Sequence, residues 1–566
     1  MEPLSEYEQQ RVDNIKRNKE LLRDLHLEPL SDQLQGQRLP QKQKPKRKPE
    51  PRAKDNSEPR RTSARLRNLP APSEIAAKRQ ATEETLSTEA NKKRRRVGDL
   101  KLEDIETKLI NEGDNERFAQ LLQGLLVPGS TTSTRKTPVA VEYQETNDEN
   151  ARPTNSDNSR SSTIPLALKK EAQNLKIRHT WSTVKVVPER IYCSTFYPSA
   201  DRLLGVAGDT TGNLGFWDIH GTKEQAEAEP VVFAYRPHSR AITGMMYSPT
   251  DSYKLFTSSY DGSVRCFDMN KTTFTEAFVV AEDQDEYAFT WIDSDPTGNQ
   301  VHLAPFGFSH WLYFCTDQGE IGFHDLREPL HTCTVYNLIP SKTKCLNLNP
   351  VNPNLLVTSS NDKTIRIWDI RKMRTAGATR GPAASHDTPS QLYQFEHGYS
   401  VTSAYWSPDG KRIVSTGYDD LVKIFAGDDQ GKNWKMEAAI PHNNQTRKWV
   451  TMFRATWSTN TVSASSDALA HPYFCIGNMK HPVDIYSGVR GDIIAQLYDV
   501  DHITAVPAVA NFHPRTPSMT LLCGNASGRM VCFCLTAVML VTVIRDDGRT
   551  NIISLLIKIS GHKFIH

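Results

Sequence analysis

Between residues 178 and 534 a short pattern recurs seven times: two strands joined by a Gly, Asn or Asp turn, the second closing on an aromatic side chain or a histidine. The clearest copy is Ser359-Ser360-Asn361-Asp362-Lys363-Thr364-Ile365-Arg366-Ile367-Trp368-Asp369-Ile370-Arg371. Aligned on the aromatic position, the copies fall at Trp217, Phe267, His324, Trp368, Phe425, Tyr486 and Phe533, about 44 to 61 residues apart. A unit this short cannot bury both faces of its own sheet, whereas copies set side by side in a ring can. The period is that of WD-type blades with loop insertions. The expected fold class is therefore all-β, a seven-bladed WD-repeat β-propeller over 178–534. A long, mostly disordered basic N-terminal arm precedes it over 1–177, and an atypical tail follows over 535–566.

The arm is set apart by composition. Pro, Ser, Gln, Lys, Arg and Glu dominate it, and few apolar runs are present to offset the entropy of ordering the backbone. Two stretches break this texture. Ser5-Glu6-Tyr7-Glu8 has the form of a helix capping box, and Val12, Ile15, Leu22 and Leu25 follow at helical spacing, which predicts a short amphipathic helix near 5–27. A second is predicted near 99–126, with Leu102, Ile105, Leu109, Phe118, Leu121, Leu122 and Leu125 on its apolar side and Gly113 interrupting it. Neither is stable alone, so each needs a surface to cover its stripe.

The whole chain carries 69 Lys and Arg against 66 Asp and Glu, yet the basic residues are bunched. From Arg38 to Arg67 there are 12 basic and 3 acidic residues, a segment suited to a polyanion and equally to a solvated linker. Lys44-Pro45-Lys46-Arg47-Lys48 and Lys92-Lys93-Arg94-Arg95-Arg96 have the density of nuclear-import signals, and a nuclear protein is expected from them. An apolar signal region is not seen at the N-terminus, and no run of eighteen uncharged apolar residues occurs, so neither secretion nor a membrane partner is expected.

Nine cysteines fall in or beside strand patterns without metal-ligand spacing, which suits reduced core residues. Asp261, Asp362 and Asp419 are placed in tight turns, and His238, His397 and His442 before first strands, positions that pin blade geometry through buried hydrogen bonds. Gly208 to Gly215 lacks the Lys-Ser/Thr of a phosphate loop and reads as a hairpin turn. No nucleophile elbow, His-Glu-x-x-His or cofactor motif is present, so the expectation is a binding protein with no catalytic residues, metal or cofactor. The early strand from Trp181 to Val187 has no blade of its own and is expected to close the ring beside the strand ending at Phe533.

In a propeller the residue before each first strand lies on the face where the central channel opens. Those residues include Arg190, Arg240, Lys344 and Lys448, with Arg447 adjacent, so cations from four blades are expected around one rim, suited to phosphates or simply solvated. Asn443-Asn444-Gln445 adds amide donors. Trp449 alternates with Phe453 and Trp457, which predicts packing on one strand face rather than base stacking. At the other end of the blades, His324-Asp325-Leu326-Arg327 and Trp368-Asp369-Ile370-Arg371 resemble the WDxR box by which propellers act as substrate receptors of cullin-4 ubiquitin ligases through a DDB-type adaptor. The Arg fork of that box suits carboxylates.

Several longer segments carry a closer resemblance. They are Arg11-Val12-Asp13-Asn14-Ile15-Lys16-Arg17-Asn18, Arg60-Arg61-Thr62-Ser63-Ala64-Arg65-Leu66, Arg447-Lys448-Trp449-Val450-Thr451, Gly477-Asn478-Met479-Lys480 and Gly524-Asn525-Ala526-Ser527-Gly528-Arg529. Together these resemble the fungal DNA damage-binding WD-repeat family, which has animal relatives among nuclear WD-repeat proteins and a more distant likeness in the small subunit of the UV-damaged-DNA-binding complex. The resemblance implies binding of single- and double-stranded DNA, damaged and undamaged, with preference for ultraviolet damage, and a role in DNA metabolism, DNA repair or the damage response. On that reading Arg190, Arg240, Lys344, Arg447, Lys448, Lys46, Arg47 and Lys48 are candidate DNA contacts, and Lys92 to Arg96 the import signal. The alternative is a scaffold or ligase receptor that meets chromatin through histones or other chromatin proteins, with Arg327 and Arg371 as adaptor contacts. The resemblance ends near Cys534; beyond it lies the apolar decamer Leu535 to Ile544, too short to cross a bilayer.

Overall fold

In the computed structural model, the described residues are 96–126, 164–177, 179, 184–222, 229–279, 288–294, 311–330, 332–375, 391–428, 432–462 and 467–535. The basic cluster at Lys46–Lys48, the import cluster up to Arg95, the helix expected near 5–27 and the tail after Leu535 lie outside them. The described strands form seven antiparallel sheets; six keep four blade strands in sequence order, and the last takes its outermost pairing from the segment before the repeats. The first strands open blade 1 at Ile191–Phe196, blade 2 at Ile242–Tyr247, blade 3 at Phe289–Ser294 and blade 4 at Thr343–Leu348. Those of blades 5 to 7 are Val401–Trp406, Thr456–Trp457 and Val509–Phe512.

The aligned aromatic positions occupy equivalent places in the third strands, where they pack towards the preceding sheet of the ring. Trp217, Phe267, Trp368, Phe425 and Phe533 are buried, as are Tyr486 and His324. His324 serves as an aromatic there because its ring stacks on Phe278 at 4.9 Å and its Nδ1 meets the Thr332 carbonyl at 2.5 Å. Satisfying one ring nitrogen lets the other face of the imidazole pack like a phenyl.

Sheet turns between second and third strands repeat one backbone device. Gly212, Gly262, Gly319 and Gly528 take positive φ at these turns, and Lys363, Asp420 and His481 take the same conformation in blades 4, 5 and 6. At Gly528 a Cβ would lie 2.0 Å from the Val187 carbonyl, so the closing blade has room only for glycine.

Ring closure uses two short strands instead of the single one expected over Trp181 to Val187. Strand β2 (Lys176–Ile177) and strand β3 (Val184–Lys185) both pair with the third strand of blade 7, Ile177 opposite Phe533 and Val184 opposite Met530. The chain N-terminal to the repeats thus supplies the outermost strands of the last blade and covers the outer side of its third strand. Helix α2 (Leu166–Gln173) leads into β2 and buries Leu168 and Ala172 against blades 6 and 7, while its Glu171 accepts a hydrogen bond from the Met519 amide at 2.7 Å.

The stripe predicted near 99–126 is covered by blades 1 and 2. Strand β1 (Leu100–Lys101) adds a fifth strand to blade 2, a 3-10 turn follows at Leu102–Ile105, and Gly113 at φ 80° breaks the chain before helix α1 (Asp114–Leu126). Its anchor is Phe118, fully buried among Phe233 at 4.8 Å, Phe216 at 4.9 Å and Tyr235 at 5.5 Å. Thr107 and the bridge from Glu106 to Tyr235 tie the same segment to the outer strand of blade 1. A buried Arg265 donates to the carbonyls of Gly98 and Arg96, so the last residue of the import cluster is held against blade 2.

Two blades contain the expected buried networks. His238 lies 3.1 Å from Asp261 and 2.9 Å from Thr257, and His397 lies 2.9 Å from both Asp419 and Ser415. Burial pushes the Asp261 carboxyl up, but the His238 charge and the His238 and Ser263 hydrogen bonds outweigh it and leave the group well below its ordinary value. These groups are spent on geometry.

Candidate nucleic-acid interface

The rim is built where the chain enters each first strand, and its cations differ in what holds them. Arg240 donates to the Tyr260 carbonyl at 3.2 Å. Lys342, two strand entries further round and overlooked in the sequence, reaches the Tyr260 hydroxyl at 3.1 Å with its ammonium 4.4 Å from that ring's centre. Lys344 is half-buried over Tyr418 at 5.5 Å, and Lys363 is exposed at 5.9 Å from the ring of the largely exposed Tyr399. Cations resting on aromatic faces keep their charge outward while losing little freedom on binding an anion.

Burial lowers the Lys344 ammonium to about 8, and the neighbouring charges of Lys342 and Arg454 push the same way. Three cations therefore crowd one side of the channel. An anion seated there relieves their repulsion.

The turn that carries Trp449 is the part of the rim furthest from expectation. Only Thr456–Trp457 of the predicted strand Trp449 to Trp457 pairs with blade 6. The residues before it leave the sheet and lean over the channel towards blade 1. There the Thr451 hydroxyl donates to the Ile191 carbonyl, Arg454 donates to the Tyr192 carbonyl at 3.4 Å, and Arg190 donates to the Lys448 carbonyl. Strand alternation consequently fails. Phe453 and Trp457 are buried as predicted, but Trp449 is 83% exposed, at the tip of a turn that Arg447 begins at φ 52°. A side chain in that conformation costs about 1 kcal/mol relative to glycine, and Lys363 at φ 72° bears a similar strain.

The amide groups placed beside this turn are already used. Asn444 donates to the Gly417 carbonyl at 2.8 Å and Gln445 to the Tyr418 carbonyl at 2.7 Å, bracing the turn against blade 5. Aspartates of the same side are likewise engaged within their blades: Asp209 with Thr211 and Asn213, Asp362 with Thr364 and Arg366, Asp419 with His397 and Lys423. Glu189 and Asp501 are exposed acids near this rim. The structure thus brings Arg190, Arg240, Lys344, Arg447 and Lys448 onto one side and adds Lys342, Lys363 and Trp449.

Arg327 and Arg371 stand at the other ends of their blades. Arg327 Nε lies 2.9 Å from Asp325, and Arg371 meets Asp369 through Nε at 3.0 Å and Nη2 at 2.9 Å. Each guanidinium fork is filled by the carboxylate two residues before it. Among the described residues no group of three His, Cys, Asp or Glu side chains is placed to hold a metal ion.

The WD domain, G-beta repeat model matches residues 230–268, 330–369 and 389–425, segments that run through the third strands of blades 2, 4 and 5. Relatives match nearly end to end. A protein of Neurospora crassa named DNA damage-binding protein cmr1 is 32% identical over 93% of this chain and 98% of its own length. That of Emericella nidulans is 32% identical over 94% and 99%, and that of Coccidioides immitis 34% identical over 94% and 98%. With its seven sheets, its WD repeats and these relatives, the chain belongs to the fungal family of WD-repeat DNA damage-binding proteins.

Proposed function

We propose that this protein binds single- and double-stranded DNA in the nucleus through the rim around Trp449, with preference for ultraviolet-damaged DNA, and acts in DNA metabolism or the damage response. The observation that carries the reading is the Arg447-Lys448-Trp449 turn, a bare indole flanked by two cations and held from below by Arg190. Cations attract the phosphates, and the indole offers a stacking plane to any base that leaves the helix. A lesion lowers the cost of unstacking, so the same plane favours damaged duplex without a hydrogen-bond code. The relatives' names point to the same ligand. The basic arm adds phosphate attraction that is blind to sequence and to damage.

A salt series with the full chain tests it. Affinity for a damaged duplex should fall steeply with salt, and Lys448→Ala should reduce the log–log slope by about one. A slope unchanged by charge reversal at Arg240, Lys344 and Lys448 together would exclude the rim as the DNA-binding surface.

A second reading rests on the exposure of Arg327 and Arg371, which presents two like Asp–Arg forks on the opposite side. In it the protein is a substrate receptor of a cullin-4 ligase, which also meets chromatin through histones. Changing both arginines to alanine should abolish adaptor recovery and leave DNA affinity intact; undiminished recovery removes this reading.

A further inference from the structure

Beneath the rim the channel widens into a cavity of about 330 Å³. Its lining includes Asn347, Trp406, Thr459 and Pro514, residues at the far ends of first strands, so it lies towards the side opposite Trp449. Trp291, Trp406, Trp457, Phe512 and Met245 make much of the wall apolar. One cation enters that wall, Arg454, whose guanidinium is fixed over Trp291 at 4.7 Å and over Tyr192 at 5.2 Å.

The charge of Arg454 has no acidic counterpart. Among the described residues no carboxylate lies within ion-pair distance of it, and its Nε is shielded from solvent without a hydrogen-bond partner. Tyr405, in the same wall, has a hydroxyl in the same condition. Burial raises that phenol well above its ordinary value, so it stays protonated and can donate. A half-buried cation without an acidic partner, beside a buried unused donor and an apolar surface, is costly unless a ligand completes it. The nearby Asp293 does not serve, because it accepts from Asn347 and from the Leu348 amide.

We propose that this cavity is a receptor for a short acidic peptide of a partner protein, its carboxylate meeting Arg454 and Tyr405 and an adjacent apolar side chain filling the space between Trp406 and Trp457. One guanidinium with one phenol matches a carboxylate, whose single charge and two oxygens they can satisfy. A nucleic-acid strand fits worse, since it brings repeated phosphates to a wall with one cation. The volume is at the lower end of small-ligand sites, enough for an acidic residue and one neighbour. The site opens on the side opposite the Trp449 turn, with Arg454 between the cavity and the rim lysines, and adds a partner that DNA on the rim need not displace.

Three peptides test the proposal with the full chain, by saturation-transfer NMR titration: acetyl-Leu-Glu-Leu-amide, acetyl-Leu-Gln-Leu with a free carboxyl end, and neutral acetyl-Leu-Gln-Leu-amide. At least one acidic peptide should bind tenfold or more tightly than the neutral one, and which one does tells a side-chain carboxylate from a chain terminus. Arg454→Met should erase the difference. Tyr405→Phe, which removes only a hydroxyl, should weaken the acidic peptide severalfold and keeps the test valid where Arg454→Met does not fold. Equal binding of acidic and neutral peptides, binding of none, or discrimination unchanged in Tyr405→Phe and Arg454→Met would overturn the proposal. So would displacement by inorganic phosphate at lower concentration than by peptide. DNA affinity measured on Tyr405→Phe, which leaves the charge of Arg454 in place, separates failure here from failure of the rim.

Discussion

The guanidinium of Arg190, at the entry to blade 1, donates to the main-chain carbonyl of Lys448, at the entry to blade 6, and so spans the position of blade 7. This one contact holds the base of the turn on which Trp449 stands. It also gives Arg190 a structural role, since a residue expected to meet phosphate is partly occupied in shaping the turn beside it.

Trp449→Ala should therefore weaken single-stranded and damaged DNA by about 1–3 kcal/mol, the worth of one stacked base. An indole this exposed contributes little to the fold, so unfolding stability should move by less than about 0.5 kcal/mol. Fluorescence anisotropy with a labelled oligonucleotide, run beside a thermal melt, checks both halves.

Lys344 makes the rim sensitive to alkali. Its ammonium is lowered to about 8 by burial, then by Lys342 and Arg454, so the free protein loses this charge as pH rises through that value. Bound phosphate favours the charged form, hence binding takes up a proton and affinity falls above pH 8, by about three- to tenfold between pH 7 and 9. Lys344→Arg should flatten the profile at constant ionic strength, because a guanidinium stays charged across it.

Acid should destabilise the ring through His513. Burial lowers this imidazole to about 4, and its ring packs on Phe196 at 4.7 Å. Its folded value lies below its unfolded one, so its contribution is fully present above pH 6.5 and is lost as pH falls towards 4. The loss amounts to about 3 kcal/mol at most. Melting temperature against pH should drop over that window, and His513→Gln should lessen the drop; His397, His442 and His471, also lowered by burial, account for part of the remainder.

Phe118 tests the strap. Removing a fully buried phenyl among four aromatic rings should cost about 3–5 kcal/mol. The cost should appear as faster proteolysis within 96–126, with the basic rim around Trp449 unaffected.

Much of the ring was legible in the residues themselves. The aromatic positions from Trp217 to Phe533, the turns at Asp261 and Asp419 and the cations Arg190 and Arg240 before their first strands occupy the places expected, because each depends on a strand pair that is contiguous in the chain. The closing partner of Phe533 was legible too, though not its division into β2 and β3. What escaped was decided between distant segments. The stripe around Phe118 announced that it needed cover, but no local pattern names blades 1 and 2 as that cover. Trp449 shows the limit most clearly.

The alternating and turn-forming residues alone determined that this chain forms seven antiparallel sheets built on repeated strand pairs. The tertiary structure alone decided which surface they present. Period-two alternation describes a residue only while its strand stays in the sheet, and the segment from Arg447 to Ala455 leaves it to meet Ile191 and Tyr192. That departure turns Trp449 outward and draws Arg454 into the channel wall, neither of which is written in the spacing of either residue.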